Sequence, residues 1–512
     1  MHRRIPVLAL LAVFGLAACS TDGPVSPLKA PTAPKLDVSS GSSSGRYVVV
    51  MKGTSVPAGF AQAVANLGGK ITSSHDGAGL ATVSGLTAAS AATLAASTGV
   101  SEVQPDAAVT LEQPIPTIQA DAAALAAPGV DSQAAPATAL LASWQWNMRL
   151  IQADKAWAAG KLGSPSVTVA ILDTGLDYDN RDLTGLVDLN RSVSFMNTFV
   201  GGPDDVVTLS DDDITTTFFP TRNKISDYNG HGTNVGATVS SKAFAFAGVT
   251  SQTTLIGVKV LGANGVGSFG GILNGVLWAA DHGADVANMS LGGSFEKAGN
   301  GQLIHAIKKV FDYAARKGML IVVSAGNDGT NLDRNADTFS TFCDAPHVIC
   351  VASVGPVTVD GNPDLPAFYT NFGRRSIDVA APGGNADLDN LPISNWPWGP
   401  DFASWVWSFC SKTSLVFSPT GAPGFAGCQA GNRLNGYIGT SQASPHVTGL
   451  AALLVAQNWR ARPDKLKDII EDSGDRINPK FGEGRINVAN ALGLNGKKHD
   501  GRDDDHGGPG RH

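Results

Sequence analysis

Three short segments carry residue types that could together perform nucleophilic catalysis. Asp173-Thr174-Gly175 closes the apolar run VTVAIL. Asn229-Gly230-His231-Gly232-Thr233-Asn234-Val235 opens a stretch of small residues. Gly439-Thr440-Ser441-Gln442-Ala443-Ser444-Pro445-His446-Val447 leads into the apolar run TGLAALLVAQNW. A serine hydroxyl is a poor nucleophile until a base takes its proton, and the base needs a carboxylate to orient it. Ser441, His231 and Asp173 are the candidates for these three tasks. Glycines beside His231 leave the imidazole uncrowded and let backbone approach closely. Ser441 is expected in the first turn of a buried helix, whose free N–H groups and partial positive charge favour an oxyanion. Pro445 then falls early in that helix, where its missing N–H is least costly. His446, five residues from Ser441, points elsewhere and reads as structural; Ser444 is discounted as a rival nucleophile. A fourth segment, Ser324-Ala325-Gly326-Asn327-Asp328-Gly329, follows the run MLIVV. Its Asn327 offers a neutral donor that, with the Ser441 N–H, would hold a developing oxyanion.

Other chemistries fit less well. A paired-aspartate site needs a mostly β chain, and the alternating strand and helix patterns here do not give one. A hydrolase elbow needs G-x-S-x-G and the order Ser, Asp, His; here Ser441 sits in G-T-S-Q-A and the order is Asp, His, Ser. A binding protein on an inactive scaffold would lack a catalytic group, and none is missing.

These segments need a frame. From Trp144, near-continuous apolar strands alternate with helical patterns: 167–173, 253–261, 286–292, 319–326, 347–354 and 376–383 as strands, 272–283 and 303–318 as helices. Such strands argue for a parallel sheet covered on both faces, with ligands at the carboxyl ends. Upstream, residues 46–112 read as strand 47–51, helix 57–67 opened by Pro57, two strands, helix 87–97 and further strand. The order β-α-β-β-α-β describes a small α+β, ferredoxin-like domain. Residues 113–143 are Ala- and Pro-rich and read as an exposed connector, and residues 496–512 as a polar tail without structure.

Composition narrows the function classes. Apolar residues make up 43% and charged ones 16%, which suits a compact globular chain. The formal net charge is -7 and there is no long basic run, which argues against nucleic acid. His2, Arg3 and Arg4 precede a short apolar stretch ending in Leu16-Ala17-Ala18-Cys19. Residues 1–18 thus read as an export signal, with Cys19 as the lipid-bearing residue of a bacterial lipobox and 19–45 as a flexible tether; the alternative is ordinary cleavage nearby, with Gly15 and Ala17 as the small residues, and secretion. No later run reads as a membrane span. Taking Cys19 away leaves Cys343, Cys350, Cys410 and Cys428, an even set in an exported chain. Short loops favour the pairs Cys343–Cys350 and Cys410–Cys428 among the three possible connectivities.

Taken together, Asp173-Thr174-Gly175, His231-Gly232-Thr233, Asn327 in SAGN and Gly439-Thr440-Ser441 resemble the subtilisin-like (subtilase) serine peptidases, over about 144–495. The resemblance implies a three-layer α/β/α sandwich with a mostly parallel seven-stranded sheet, and a serine endopeptidase working through an acyl-enzyme. It implies substrate bound as an extended strand between Gly265-Val266-Gly267-Ser268 and Ser290-Leu291-Gly292-Gly293. Residues 46–112 resemble the family's inhibitory propeptide, which blocks the cleft and is cut away, here somewhere in 112–143. Expected partners are polypeptide substrates and this propeptide, with a membrane touched only through the lipid, and the chain is expected to act as a monomer. No cofactor is needed for the chemistry. Structural calcium is common in the family; Asp177, Asp179 and Asp182, or Asp211-Asp212-Asp213, supply hard oxygens, but no calcium-loop spacing locates a site. The chain departs from the family at Asn234, where His is usual, and at Gln442, where Met is common. It also departs in an aromatic insertion over 383–436.

Overall fold

The computed structural model describes residues 45–111, 113, 118–121, 132–200, 209–340, 342–357, 361–386, 404–417, 423–425, 433–457 and 462–496. The expected signal, Cys19, Cys428 and most of the polar tail lie outside the described residues.

The apolar runs from 167 onward become strands of one sheet. Across it the order is Val379–Pro382, Val348–Val354, Leu320–Ser324, Val286–Met289, Thr168–Asp173, Thr254–Lys259 and Val193–Ser194. Every neighbouring pair is parallel. Side chains alternate between the faces of a strand, and here both faces are covered. Ala170 and Leu172 pack with helices Phe269–Asp281 and Gly301–Arg316. Val169 and Ile171 pack with helices His231–Val239, Thr440–Ala456 and Pro463–Asp472. The result is the three-layer α/β/α sandwich. The strand Val193–Ser194 was not expected from the sequence; two residues are too few to show a period.

The N-terminal domain is a four-stranded antiparallel sheet in the order Lys70–His75, Leu80–Ser84, Tyr47–Met51, Val100–Pro105. Its helices are Phe60–Asn66 and Ala88–Ala95. Pro57 does not open the first helix; its carbonyl accepts Phe60 N–H in the turn before it. Strand Tyr47–Met51 is apolar on both faces, and each face has a partner. Tyr47, Val49 and Met51 face the domain's own helices, whereas Val48 and Val50 join the core around Phe269–Asp281 and Gly301–Arg316. Lys309 Nζ donates to the carbonyls of Met51 (2.7 Å) and Gly53 (2.6 Å) across this junction. Asp106 Oδ1 accepts Gly270 N–H at 2.7 Å, so a carboxylate of one domain caps a helix of the other.

Residues 132–143 of the connector are mostly exposed or half-buried, as expected, but parts of the connector are also bonded to the larger domain. Ile118–Asp121 pairs antiparallel with Arg433–Tyr437. Leu140 and Leu141 N–H donate to Phe244 and Ala245 carbonyls, and Pro136 and Ala139 are buried.

Candidate functional site

Asp173 ends a central strand, fully buried, so backbone pairing on both sides fixes its carboxylate. Its Oδ1 accepts Thr174 N–H at 2.7 Å and lies 2.8 Å from His231 Nδ1. A carboxylate accepts, so Nδ1 carries the hydrogen and Nε2 is the basic nitrogen. His231 Nε2 is buried with no hydrogen-bond partner among the described residues. His231 is the first residue of its helix, and Gly230 turns the chain into it at φ 108, a conformation that favours glycine.

Two residues that sequence reasoning missed hold this corner. Asp227 Oδ1 accepts from Thr174 Oγ1 (2.9 Å), Asn229 N (3.0 Å) and Gly230 N (2.8 Å). Its Oδ2 accepts from Thr233 N (2.9 Å) and Thr233 Oγ1 (2.6 Å). One buried carboxylate thus joins the Asp173 turn to the start of the His231 helix. Lys259, also fully buried, donates to the carbonyls of Thr174 (2.7 Å) and Ser226 (2.8 Å) and pairs with Asp211 at 2.8 Å. The available signals were an aspartate four residues before His231 and a lysine closing an apolar strand.

Ser441 is the second residue of helix Thr440–Ala456 and is buried. Its Oγ donates to the Ser290 carbonyl at 3.1 Å, and Ser290 Oγ donates to the Ser441 carbonyl at 2.7 Å. The second bond answers a question posed by Pro445. A proline there deprives the Ser441 carbonyl of its helical donor, and the Ser290 hydroxyl takes that place. Asn327 Oδ1 accepts both Thr440 N and Thr440 Oγ1 at 2.9 Å. These bonds fix the amide flip, with Nδ2 on the branch away from Thr440. His446 accepts from or donates to only structural partners, Asn147 Nδ2 and the Gln442 carbonyl, both at 2.8 Å, and burial lowers its pKa to about 4.

The segment Val266–Ser268 is occupied. Ala108–Thr110 pairs with it antiparallel, Val266 opposite Thr110 and Ser268 opposite Ala108, and Leu111 N–H donates to the Gly265 carbonyl at 2.8 Å. A Cβ at Gly267 would fall 2.0 Å from the Val260 carbonyl, so glycine is required there. On the other rim, Ser290 and Leu291 are buried, and the Leu291 side chain belongs to the core. No strand pairing forms at Ser290, Leu291, Gly292 or Gly293 among the described residues.

The three departures meet in one place. Asn234 Nδ2 donates to the Val406 carbonyl (3.3 Å) and Ser408 Oγ (3.1 Å), and its Oδ1 accepts from Gln442 Nε2 (3.3 Å). Strand Val406–Phe409 of the insertion pairs with Arg433–Tyr437. Trp405, Trp407 and Phe409 are buried against Phe244, Phe246, Leu434 and Ile438, so these aromatics form a core of their own. The Tyr437 ring stands edge-on to His231, centroids 5.9 Å apart.

Neither acidic set fits calcium. Asp182 accepts backbone N–H groups of Phe244, Ala245 and Phe246, while Asp177 and Asp179 pair with Arg222. Asp211 and Asp212 pair with Lys259 and Lys224, and Asp213 accepts from Ser210. No cluster of three or more His, Cys, Asp or Glu side chains that could hold a metal occurs among the described residues. Cys343 and Cys350 form a disulfide, and Cys410 is also disulfide-bonded.

Residues 164–494 match the sequence model of the Subtilase family. Thermitase of Thermoactinomyces vulgaris is 30% identical over 356 residues, 68% of this chain and 96% of thermitase. The major intracellular serine protease of Bacillus subtilis is 29% identical over 325 residues, 63% of this chain and 78% of that one. Among solved structures, the epidermin leader peptide processing serine protease of Staphylococcus aureus superposes with a TM-score of 0.67 at 20% identity. That match covers 88% of this chain and 99% of the other. Fervidolysin of Fervidobacterium pennivorans gives 0.58 at 21%, over 88% and 60%. At these identities the structural matches concern the fold.

Proposed function

The chain belongs to the subtilase family of serine proteases, and we propose that it is an endopeptidase made as a self-processing precursor, with Asp173, His231 and Ser441 as its catalytic residues. The Asp173–His231 hydrogen bond of 2.8 Å carries this reading, because it makes Nε2 the base. Ser441 Oγ leaves the Ser290 carbonyl and gives its proton to Nε2 as it attacks the scissile carbonyl. Asp173 accepts the Nδ1 hydrogen and stabilises the imidazolium. Asn327 Nδ2 and the Ser441 N–H hold the oxyanion; losing one such donor typically costs about 3 kcal/mol. His231 then protonates the leaving amine, and water releases the acyl-enzyme by the same route.

Residues 46–112 are the inhibitory propeptide. The support is the pairing of Ala108–Thr110 on Val266–Ser268, which fills the edge a substrate strand would use. The maturation cut falls between Leu111, on that edge, and Ile118, on strand Arg433–Tyr437. The signal at residues 1–18 directs export, and Cys19 bears the lipid.

Wild type and Ser441→Ala, both made without the signal, test this by intact mass and casein hydrolysis. The wild type is expected to lose everything before a bond in 111–118 and to digest casein. The variant is expected to stay full length and inert. Casein digestion by Ser441→Ala would remove Ser441 as the nucleophile.

A further inference from the structure

Within the endopeptidase reading, we propose that Asn234 and Gln442 are positioning residues. The hydrogen bond between their amides sets the spacing of base and nucleophile, and the insertion strand Val406–Phe409 holds that bond in place.

The two amides sit beside the reacting groups. His231 and Asn234 are three residues apart on one helix and so share a face. Ser441 and Gln442 are neighbours in the first turn of another. Gln442 Nε2 donates to Asn234 Oδ1 at 3.3 Å, which joins the two helices one turn from His231 and one residue from Ser441. Both side chains are buried. The rest of this helix contact is apolar, with Val235 and Val239 in one core with Ala443 and Val447. Apolar contact has no direction, so it holds two helices together without fixing how far one slides on the other. A hydrogen bond needs its partners at a set distance and angle, and buried polar links of this kind select a single arrangement.

Neither amide is free to turn. Asn234 Nδ2 donates to the Val406 carbonyl (3.3 Å) and to Ser408 Oγ (3.1 Å), which fixes the amide flip and leaves Oδ1 to Gln442. Ser408 Oγ passes its own hydrogen to the Phe409 carbonyl at 3.0 Å. The Gln442 carbonyl accepts from His446 Nδ1 at 2.8 Å, so His446 Nε2 is the acceptor for Asn147 Nδ2, also at 2.8 Å. Asn147 lies on helix Trp146–Leu150, whose first residue donates its Nε1 hydrogen to the Trp405 carbonyl at 3.2 Å. Trp405 precedes Val406, which closes the circuit. Base helix, nucleophile helix, insertion strand and helix Trp146–Leu150 are thus joined in one ring, and the Asn234–Gln442 bond is its link between the two catalytic elements. These are also two of the positions at which the sequence departs from the family, and changing either alone would strip the other of its partner.

The test is steady-state cleavage of a short peptide by the mature enzyme and by Gln442→Met, Asn234→Leu and the double variant, each change nearly conserving volume. Loss of the link is expected to lower kcat roughly tenfold in either single variant, short of the about 100-fold that a full 1 Å misplacement can cost. KM should stay within about twofold, since both residues are buried and lie on neither substrate edge, Gly265–Ser268 or Ser290–Gly293. The double variant should also lose roughly tenfold and not the roughly hundredfold product, because the second change removes a bond already broken. Ser408→Ala, a milder change that withdraws one anchor from Asn234, should lower kcat roughly threefold. Wild-type kcat in Gln442→Met or in Ser408→Ala, whatever their Tm, would overturn the inference while leaving the protease reading intact, as would losses that multiply in the double variant. If Asn234→Leu does not fold, Gln442→Met and Ser408→Ala decide between these outcomes. If the wild type itself cuts no peptide, the protease reading falls and this inference with it.

Discussion

Asp227 takes five hydrogen bonds on two oxygens, from the Asp173 turn on one side and the His231 helix on the other. Asp227→Asn would set an amide NH2 against groups that are themselves donors. Buried donors left without acceptors cost about 1–3 kcal/mol each. The variant is expected to lose roughly 10- to 100-fold in kcat/KM and several degrees in Tm, the melt being measured with Ser441→Ala to prevent autolysis. His446 gives a second handle. Burial lowers its pKa from 6.5 to about 4, so between those values the unfolded chain binds a proton that the folded chain does not. Stability is therefore full above about pH 6.5 and falls as the pH drops toward 4, by up to about 3 kcal/mol. Urea unfolding of Ser441→Ala at pH 7 and pH 4.5 should show this fall, and adding His446→Gln should shrink it. The nucleophile, base and orienting acid were legible because only a few residue types can do their work and glycines mark their turns. Asp227 and Lys259 were not, since a buried carboxylate or lysine declares its role only through partners distant in sequence.

The elements that position these residues come close because their contact points are glycines. A Cβ at Gly232 would fall 2.2 Å from the Gly175 carbonyl and 3.1 Å from Asp173 Oδ1. Gly232→Ala must push helix His231–Val239 away from the Asp173 turn. Overpacking of this kind costs about 1–3 kcal/mol, and a misplacement near 1 Å can cost about 100-fold in rate. Both losses are expected, read from the melt of the Ser441→Ala background and from kcat on a short peptide. A preserved kcat would mean that the helix moves without moving the imidazole. The six longer strands of the main sheet were readable from their apolar runs, and the seventh, Val193–Ser194, was not. The insertion was visible as a departure in length and aromatic content. Its structural reason was hidden, because Asn234 and Gln442 make sense only once strand Val406–Phe409 lies against them.

At the scale of the whole molecule, many contacts besides the covalent link hold the N-terminal domain on the protease, among them the packing of Val48 and Val50 and the His75–Asp281 pair. Ala108–Thr110 fills the edge at Val266–Ser268, Asp106 caps helix Phe269–Asp281 at Gly270, and Lys309 grips the carbonyls of Met51 and Gly53. Cutting one bond breaks none of these contacts, so cleavage and activity should be separate events. Intact mass should report the cut first, and casein hydrolysis should follow after a lag set by dissociation. Asp106 offers the means to test this, because it leaves with the N-terminal domain and its partners, Gly270 N–H and Arg46, are not catalytic groups. A charged capping hydrogen bond contributes about 1–2 kcal/mol. Asp106→Ala should therefore speed dissociation by roughly tenfold and shorten the lag in proportion, with kcat/KM after the lag unchanged. A lag indifferent to Asp106→Ala, beside a cut that proceeds normally, would mean that the Asp106 cap does not limit dissociation and that the other docking contacts set the lag.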